Sequence, residues 1–443
     1  MLKAVTFKNF KSYREAKLPF SPLTVLIGAN ASGKSNAIEG LRFLSWLAQG
    51  GKLSAIRYAS QNGETIVRGD TINLPYKQQD SFGFECQGIG WDRLSITLSC
   101  REGELHISDE KLKKIGENLP LYKVHQPSNG KNTDIEIAFN NFSKGGVKPR
   151  ITCNDQSAIF TQLTSPATFG NYNRSGTIIP DRVSNIIKDF SSIFFLDPIP
   201  ARMRGYSFPS EEHFQSNGEN LSGILFNLWG VLPLVKERGE RDAIRLRRQD
   251  ILEFIKSLPE QNISGMKFLK EPRGGRMLQL METFGDEKNS YDASVLSDGT
   301  LRVLAIVAAM LSAQEGSLVV IEEIDNGVHP SRVKHLVTKI REIAERKDLS
   351  VLLSTHNPAF LDALPYEAVP DVVYCYRDPK DGSSQLVKLS NIRDYPELIA
   401  QGSLGYLSTS GTLEQFVKNQ PTPEEKKAKA LAWLNTMFKE DTE

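Results

Sequence analysis

The apolar and polar positions of this chain alternate between strand-like runs and helical repeats near both ends. Leu23–Ile27 is an apolar, β-rich run, and 35–49 carries apolar residues at helical spacing. Further along, Leu318–Ile321 and 351–354 are apolar runs separated by the amphipathic stretch 331–346. This alternation predicts an α/β fold with a mostly parallel sheet flanked by helices.

Two stretches interrupt that pattern. Residues 51–193 are polar and glycine-rich, with alternating strand-like pieces, which predicts a β-rich insertion. Residues 211–258 look helical, but Pro209, Pro233 and Pro259 punctuate them. Because proline breaks helices, we expect a short helical insertion and no long coiled coil.

Composition narrows the class of protein. The 443 residues carry a net charge of +1, so nucleic acid would have to bind at a local patch. The four scattered cysteines lack C-x-x-C spacing, and strand-like residues begin at position 2, so we expect a cytoplasmic protein without a signal peptide. The longest apolar stretches fall short of the roughly 18 residues of a membrane span, which predicts no membrane insertion.

The candidate chemistry begins after the first strand, at Gly28 and at Gly33-Lys34-Ser35. Glycines at this spacing, between a strand and a helix, predict a P-loop whose backbone N–H groups surround phosphates. The lysine would contact the outer phosphates of ATP and the Ser35 hydroxyl would bind Mg²⁺. Two further residues inside the loop, Asn30 and Ser32, are also predicted to bind the nucleotide.

Two consecutive carboxylates, Glu322 and Glu323, follow the apolar run Leu318–Ile321. Strand ends beside a P-loop face the nucleotide, so we predict that Glu322 holds magnesium and that Glu323 polarises the attacking water. His356 follows the next strand and is predicted to contact the γ-phosphate.

A second anion-binding segment precedes the helix predicted at 301–314. Ser297 can cap that helix, whose open N–H groups, with Gly299, would attract phosphate. Since Lys34 already serves one phosphate cradle, a second suggests that each nucleotide is shared between two chains. The alternative is an ordinary capped turn.

GANASGKS, LSDGTLR, VVIEEIDNGVHP and LLSTHNP, in this order and spacing, resemble the SMC/RecF-like branch of ABC-type ATPases, among the stand-alone bacterial AAA-family ATPases. The resemblance implies a P-loop NTPase of ABC/SMC-head type that closes as a head-to-tail homodimer around two ATP molecules. It also implies that Asp325 and Asn326 lie in the D-loop at the dimer interface. The chain departs from the usual LSGGQ signature at Asp298 and Thr300, and Glu322 stands where Asp is commoner.

The resemblance divides the chain into five parts. They are the N-terminal part of the ATPase domain at 1–50, the β-rich insertion at 51–193, the helical insertion at 194–276, the C-terminal part of the ATPase domain at 277–420 and a C-terminal helix at 421–443. The glutamine of the Q-loop has three candidates, Gln61, Gln78 and Gln79.

The function expected from this resemblance is an ATPase whose dimerisation controls DNA engagement or a separately encoded, nuclease-like effector in anti-phage defence. The alternatives are an ATP-dependent scaffold with little hydrolysis, a RecF-type repair ATPase and, more weakly, a transporter ATPase subunit. For each of two surfaces, the sequence leaves two alternative roles. The tail helix either docks on its own body or binds a partner, and the arginines form either a solvated face or a nucleic-acid surface: Arg238, Arg241, Arg245, Arg247 and Arg248.

Overall fold

The computed structural model of the protein describes residues 1–61, 64–128, 132–230, 237–255, 262–326 and 328–418. The strands are β1 Leu2–Phe10, β2 Tyr13–Pro19, β3 Leu23–Ile27, β4 Ser60–Gln61, β5 Glu64–Thr65, β6 Ser81–Gly88, β7 Asp92–Arg101, β8 Glu104–Lys113, β9 Tyr122–Gln126, β10 Asp134–Phe139, β11 Arg150–Asn154, β12 Phe194–Leu196, β13 Ile263–Lys270, β14 Arg276–Phe284, β15 Glu287–Asp292, β16 Leu318–Ile321, β17 Ser350–Ser354, β18 Val372–Arg377 and β19 Ser384–Lys388. The helices are α1 Lys34–Ala48, α2 Ile159–Gln162, α3 Asn173–Ser191, α4 Pro200–Met203, α5 Leu221–Trp229, α6 Arg238–Ile255, α7 Asp298–Ser312, α8 Pro330–Arg346, α9 Pro358–Asp362, α10 Tyr395–Ala400, α11 Leu404–Thr409 and α12 Thr412–Lys418.

One large sheet organises the molecule, with β3 inside its parallel part. The order of its 14 strands is β11-β10-β9-β8-β7-β6-β1-β2-β19-β18-β3-β17-β16-β12. Strand β3 pairs in parallel with β17 and β18, and β16 pairs in parallel with β17 and β12. The carboxyl ends of β3, β16 and β17 therefore meet at one edge, as the sequence predicted.

Helices cover both faces of this parallel part. Leu23, Val25 and Ile27 of β3 point into a core shared with α7 and α8, while Leu26 points into a second core shared with α1. Every residue of β3 is buried, which explains its continuous apolar run. The predicted α/β fold with a large sheet flanked by helices is confirmed.

Strands β6 to β11 of residues 51–193 extend the same sheet, whereas β4 and β5 pair with each other in a separate two-stranded sheet. Strand β6 pairs antiparallel with β1, and β7 to β11 follow as antiparallel neighbours. The β-rich character of this part thus has a tertiary basis, since its strands continue the sheet that carries the P-loop. The sequence analysis did not identify helix α3 in this part, although its apolar residues recur at helical spacing and are fully buried: Ile179, Val183, Ile186 and Phe190.

The part predicted as a helical insertion contains more than helices. Strand β12 joins the main sheet, and β13 pairs with β14 in a separate three-stranded sheet. The helix predicted over 211–258 is wrong for 211–220, where no helix forms. Asn220 there accepts a hydrogen bond from the N–H of Gln215 and donates to the carbonyl of His213, and such local bonds compete with helix formation.

Some predictions concern surfaces and termini. Arg248 of α6 donates to the carbonyls of Trp229 and Gly230, so this member of the arginine cluster is engaged in packing. The helix predicted at 421–443 lies outside the described residues. All four cysteines are unpaired. Within the described ranges, no helix has the length and apolar character needed to cross a membrane.

Candidate functional site

The loop between β3 and α1 depends on two glycines. Gly28 and Gly33 have φ of +148° and +125°, which side chains rarely tolerate. A Cβ on Gly28 would lie 2.2 Å from the carbonyl oxygen of Cys375, and one on Gly33 would lie 2.5 Å from Oγ of Ser384. The glycines are therefore required by the close approach of β18 and β19 as well as by the loop conformation.

Lys34 begins helix α1 and folds back over this loop. Its Nζ donates to the carbonyl oxygens of Gly28, at 2.6 Å, and Ala29, at 3.0 Å. Burial lowers the pKa of Lys34, while nearby Cys375, Glu323 and Asp325 oppose that shift. The lysine is thus held at the mouth of the loop by carbonyl groups that a phosphate can replace.

A cavity of ≈ 390 Å³ opens above the loop, within the range of about 300–1,000 Å³ typical of small-molecule sites. It brings together seven of the predicted site residues: Asn30, Gly33, Lys34, Ser35, Glu322, Glu323 and His356. Its lining is mostly polar and contains cations, carboxylates and hydroxyl groups. This composition suits a polyphosphate with a metal ion.

Glu322, at the end of β16, is paired with a residue that the sequence analysis did not identify. Arg42 of α1 donates from Nη2 to Oε1 of Glu322 at 2.8 Å. The Arg42 guanidinium also lies 5.3 Å from the ring centre of Phe195, in β12. Burial raises the pKa of Glu322, and Arg42 opposes that rise.

Glu323 has an unusual backbone for a residue with a side chain, with φ of +47°. Its N–H donates to Oγ of Ser354, at the end of β17, at 3.1 Å. Its carboxylate accepts a hydrogen bond from Nδ2 of Asn326 at 2.7 Å. Such a left-handed conformation costs roughly 1–2 kcal/mol in an L-residue, and strain of this kind is common at functional sites.

His356 follows β17 and lines the cavity from an exposed position. The chain around it is anchored on both sides. The N–H of Thr355 donates to the carbonyl of Leu26 in β3 at 3.2 Å, and Asn357 caps helix α9. The imidazole is therefore presented to the cavity by a rigid strand end.

The remaining predicted residues do not line the cavity. Gly28 and Ser32 belong to the loop itself, and Oγ of Ser32 is buried without a hydrogen-bond partner among the described residues. Asp325 and Asn326 follow the Glu pair. Ser297 caps helix α7 by accepting from the N–H of Thr300 at 3.1 Å, and it lies outside the cavity together with Gly299.

Two of the three Q-loop candidates have described side chains, and neither lies in the cavity. Gln78 and Gln79 are exposed and do not line it. The side chain of Gln61 is outside the described part of the chain.

The cavity also contains residues for which the sequence carried no isolated signal. Ser12 follows β1 and Arg377 ends β18, and both reach the cavity through the pairing of distant strands. Arg377 donates to Oγ of Ser384 at 3.3 Å, beside the P-loop. It adds a second cation to the cavity that holds Lys34. Asn36 and Thr355 are direct neighbours of predicted residues and were identifiable by position.

The donor set fits ATP with Mg²⁺. The hydroxyl of Ser35 and the carboxylate of Glu322 are hard oxygen ligands, which Mg²⁺ prefers. Among the described residues, no group of three or more His, Cys, Asp or Glu side chains could hold a metal by itself. In proteins Mg²⁺ commonly binds through one or two carboxylates together with water and substrate phosphates. The buried Oγ of Ser32 has no hydrogen-bond partner among the described residues, so it is available for a hydrogen bond to a ligand in the loop.

Comparison with known proteins gives relatives of several kinds. The OLD nuclease of Thermus scotoductus is 22% identical over 400 residues, which cover 83% of this chain and 61% of the relative. The ATP/GTP phosphatase of Helicobacter pylori is 22% identical over 379 residues, covering 82% and 87%. The DNA replication and repair protein RecF of Lactococcus lactis subsp. cremoris (strain MG1363) is 31% identical over 144 residues, covering 31% of this chain and 38% of the relative. The chain thus spans about three fifths of the OLD nuclease and less of RecF.

A family profile described as "AAA domain, putative AbiEii toxin, Type IV TA system" matches residues 23–362. This range extends from the strand before the P-loop to helix α9, and so includes every residue predicted for the site. These relatives support the resemblance to SMC/RecF-like ATPases that the motifs carry. The chain therefore belongs to this AAA domain family.

Proposed function

We propose that the protein binds ATP with Mg²⁺ in the P-loop cavity, closes as a head-to-tail homodimer around two ATP molecules, and reopens after hydrolysis. In this proposal the dimer state controls a separately encoded, nuclease-like effector or the engagement of DNA, in the cytoplasm and in defence against phage. ATP hydrolysis is the general activity expected of a chain of this family. The ATP-dependent dimer, and its control of an effector or of DNA, are the specific parts of the proposal.

The proposal rests on one observation: the predicted site residues are divided between the cavity and a separate surface at the start of α7. Lys34, Glu323 and His356 share one cavity, whereas Ser297 and Gly299 lie outside it at the exposed start of α7. A helix start with open N–H groups favours phosphate, so a second copy can supply this segment to the outer side of the nucleotide. Neither chain then holds a complete site alone.

The residues of the cavity have distinct roles in this mechanism. Lys34 exchanges its bonds to Gly28 and Ala29 for the β- and γ-phosphates. Glu323 orients the attacking water and accepts its proton at a carboxylate oxygen, while an imidazole N–H of His356 donates to the γ-phosphate. Mg²⁺, held by Ser35 and Glu322, would neutralise charge that develops on the phosphates.

The proposed partners are argued from the relatives. One relative is named as a nuclease and others as DNA replication and repair proteins, and the chain covers only part of each. The family description names a putative toxin of a toxin–antitoxin system. The names of the nuclease and of the repair proteins support a nuclease-like effector or DNA as the proposed output.

Dimerisation can be tested with Glu323→Gln, which retains the side-chain volume but cannot accept the proton of water. With ATP and Mg²⁺ we expect this variant to form a stable dimer by light scattering coupled to size exclusion, and to remain monomeric without ATP. Ser297→Arg in the same background should bind ATP and stay monomeric. Unimpaired ATP-dependent dimerisation of Ser297→Arg would contradict the assignment of the α7 segment to the partner's nucleotide.

The output can be tested by isolating Glu323→Gln with ATP and Mg²⁺ from its native host and identifying what accompanies it. A stoichiometric protein partner supports an effector complex. DNA alone supports a repair or clamp-like role, and isolation of the dimer with neither would contradict both outputs.

An ATP-dependent scaffold with little hydrolysis is the second candidate. Two departures from the usual motifs favour it, since Glu322 stands where Asp is commoner and Asp298 adds a carboxylate to the signature segment. Single-turnover hydrolysis separates the two candidates, since a scaffold would leave ATP intact on the closed dimer.

A further inference from the structure

The segment before helix α7 carries a negative charge where the proposed function requires affinity for phosphate. Asp298 begins α7, directly after the N-cap Ser297, and its side chain is 68% exposed. A carboxylate at this position repels an incoming triphosphate, because like charges in a partly desolvated interface raise the free energy of association. Something must offset this charge if the segment is to contact the nucleotide of a second copy.

The side chain of Arg204 is placed to do so. It follows α4, and its Nη2 donates to Oδ1 of Asp298 at 2.6 Å. Its Nη1 donates to the carbonyl oxygens of Leu296, at 2.7 Å, and Ser294, at 3.0 Å. One guanidinium therefore ties together both ends of the segment 294–298.

Arg204 itself stands on an anchored element. Met203, the last residue of α4, is buried, with 1% of its surface exposed. Its Sδ lies 2.7 Å from the position of a Cβ on Gly218, so the neighbouring turn is packed closely against it. The N–H of Ile199, just before α4, donates to the carbonyl of Asn217 at 3.0 Å. The backbone that carries Arg204 is thus anchored by the core, and the guanidinium reaches from it to the exposed segment.

We propose that Arg204 is a positioning residue of the composite ATP site: it neutralises Asp298 and holds the segment 294–298 so that Ser297 and Gly299 can meet the phosphates bound to a second copy. This inference rests on the proposed function. It explains how the segment tolerates Asp298, the carboxylate that departs from the usual signature. Asp298 and Arg204 form a pair whose charges cancel.

The contribution of this pair to folding is expected to be small. Both side chains are substantially exposed, at 31% for Arg204 and 68% for Asp298, and exposed ion pairs add little to stability. The consequence for ATP-dependent association is larger, since an uncompensated carboxylate would face a polyphosphate. A tenfold change in a dissociation constant corresponds to about 1.4 kcal/mol, which one unfavourable charge contact in an interface can supply.

The test measures the protein concentration at half-maximal dimer for Glu323→Gln with ATP and Mg²⁺, by light scattering coupled to size exclusion. Adding Arg204→Met should raise that concentration about tenfold or more. Adding Asp298→Asn together with Arg204→Met should recover part of this loss, because the unpaired charge is gone while the bonds to the carbonyls of Ser294 and Leu296 remain absent. Arg204→Lys, which keeps a positive charge, should give an intermediate value.

Arg202→Met is the matched control. Arg202 lies in the same short helix and pairs with Glu219 at 3.3 Å, away from the segment 294–298. We expect it to dimerise like the parent. Binding of a fluorescent ATP analogue to the monomer should be equal in all of these variants, because Lys34 and the cavity are untouched.

Two results would overturn the inference. One is equal dimerisation of the Arg204→Met and Arg202→Met variants. The other is a double variant, Arg204→Met with Asp298→Asn, that dimerises as weakly as Arg204→Met alone. If the parent Glu323→Gln itself stays monomeric with ATP, the proposed function fails first, so the two failures are distinguishable.

Discussion

Nη2 of Arg42 lies 2.8 Å from Oε1 of Glu322, so the helix that begins at the P-loop is bonded to the carboxylate at the end of β16. The two residues are 280 positions apart, and their side chains are 13% and 20% exposed. The partly buried carboxylate of Glu322 lines the same cavity as Ser35, a predicted magnesium ligand, and is thus held by the guanidinium of Arg42. Arg42 links the helix after the predicted phosphate-binding loop to the strand end that carries the predicted metal ligand.

Removing this cation should destabilise the protein. In Arg42→Met the carboxylate of Glu322 keeps its burial but loses this ion pair, and we expect a loss of about 2 kcal/mol in the free energy of unfolding. The magnesium concentration for half-maximal ATPase activity should rise several-fold, since the carboxylate is no longer oriented. Thermal denaturation and magnesium titration measure the two effects.

A double variant distinguishes the loss of the ion pair between Arg42 and Glu322 from a loss of packing. Arg42→Met with Glu322→Gln removes both charges, so it should be less destabilised than the sum of the single variants. Additive losses would show that the ion pair contributes nothing beyond packing.

Glu323→Gln should bind ATP like the parent protein and hydrolyse it about 10²–10⁴ times more slowly, because the general base is lost. A rate equal to that of the parent would show that another group activates the water. Steady-state phosphate release and nucleotide binding are the measurements.

The backbone at the same position gives a second prediction. Since φ of Glu323 is +47°, Glu323→Gly should be more stable than Glu323→Gln by about 1 kcal/mol, while both lack the base. Chemical denaturation of the two variants compares them directly. Equal or lower stability of the glycine variant would mean that the left-handed backbone is not strained.

Lys34→Ala should lose ATP binding by two orders of magnitude or more, since bonds to the outer phosphates disappear while the fold keeps its buried β3 and α1. Lys17→Ala, a change at an exposed lysine in β2, is the control and should bind ATP normally. Isothermal titration with the ATP analogue checks both. Retained affinity in Lys34→Ala would contradict the P-loop assignment.

A buried carboxylate far from the cavity predicts a pH dependence of stability. Glu110 of β8 accepts hydrogen bonds from the hydroxyl of Tyr122, at 2.6 Å, and from the N–H groups of Ile159 and Phe160, both at 2.8 Å. Burial raises the pKa of Glu110 from 4.5 to about 7 in the folded protein, although these bonds oppose the rise. The folded state therefore binds more protons than the unfolded state between these two values.

The sign follows from that excess of protons. The contribution of Glu110 is fully present below pH 4.5 and is lost as the pH rises through the folded pKa of about 7. The free energy of unfolding of the parent, relative to Glu110→Gln, should fall by up to about 3 kcal/mol between pH 5 and 8. Denaturant titrations across this range measure it, and a difference that does not change with pH would contradict the shift.

The local pattern of the chain was sufficient for the elements that carry the site. Leu318–Ile321 is a strand with the predicted bounds, α8 and β17 each begin one residue earlier than predicted, and α1 begins and ends one residue earlier. Strand and helix repeats are local, because burial of one face imposes a period of two or 3.6 residues. Because these patterns are local, the order of strand, glycine loop and helix can be predicted from the sequence. The placement of Lys34 and Glu323 at element ends follows from the same patterns.

The local pattern of residues therefore specifies the α/β class, the P-loop and the residues at strand carboxyl ends that line one cavity. The folded chain alone shows that Arg42 meets Glu322, that Arg377 and Ser12 reach the cavity, and that Arg204 pairs with Asp298. These contacts join segments far apart in the chain, and no periodicity within either segment specifies its partner. They follow from the order of strands in the sheet, which is set by the packing of the whole core.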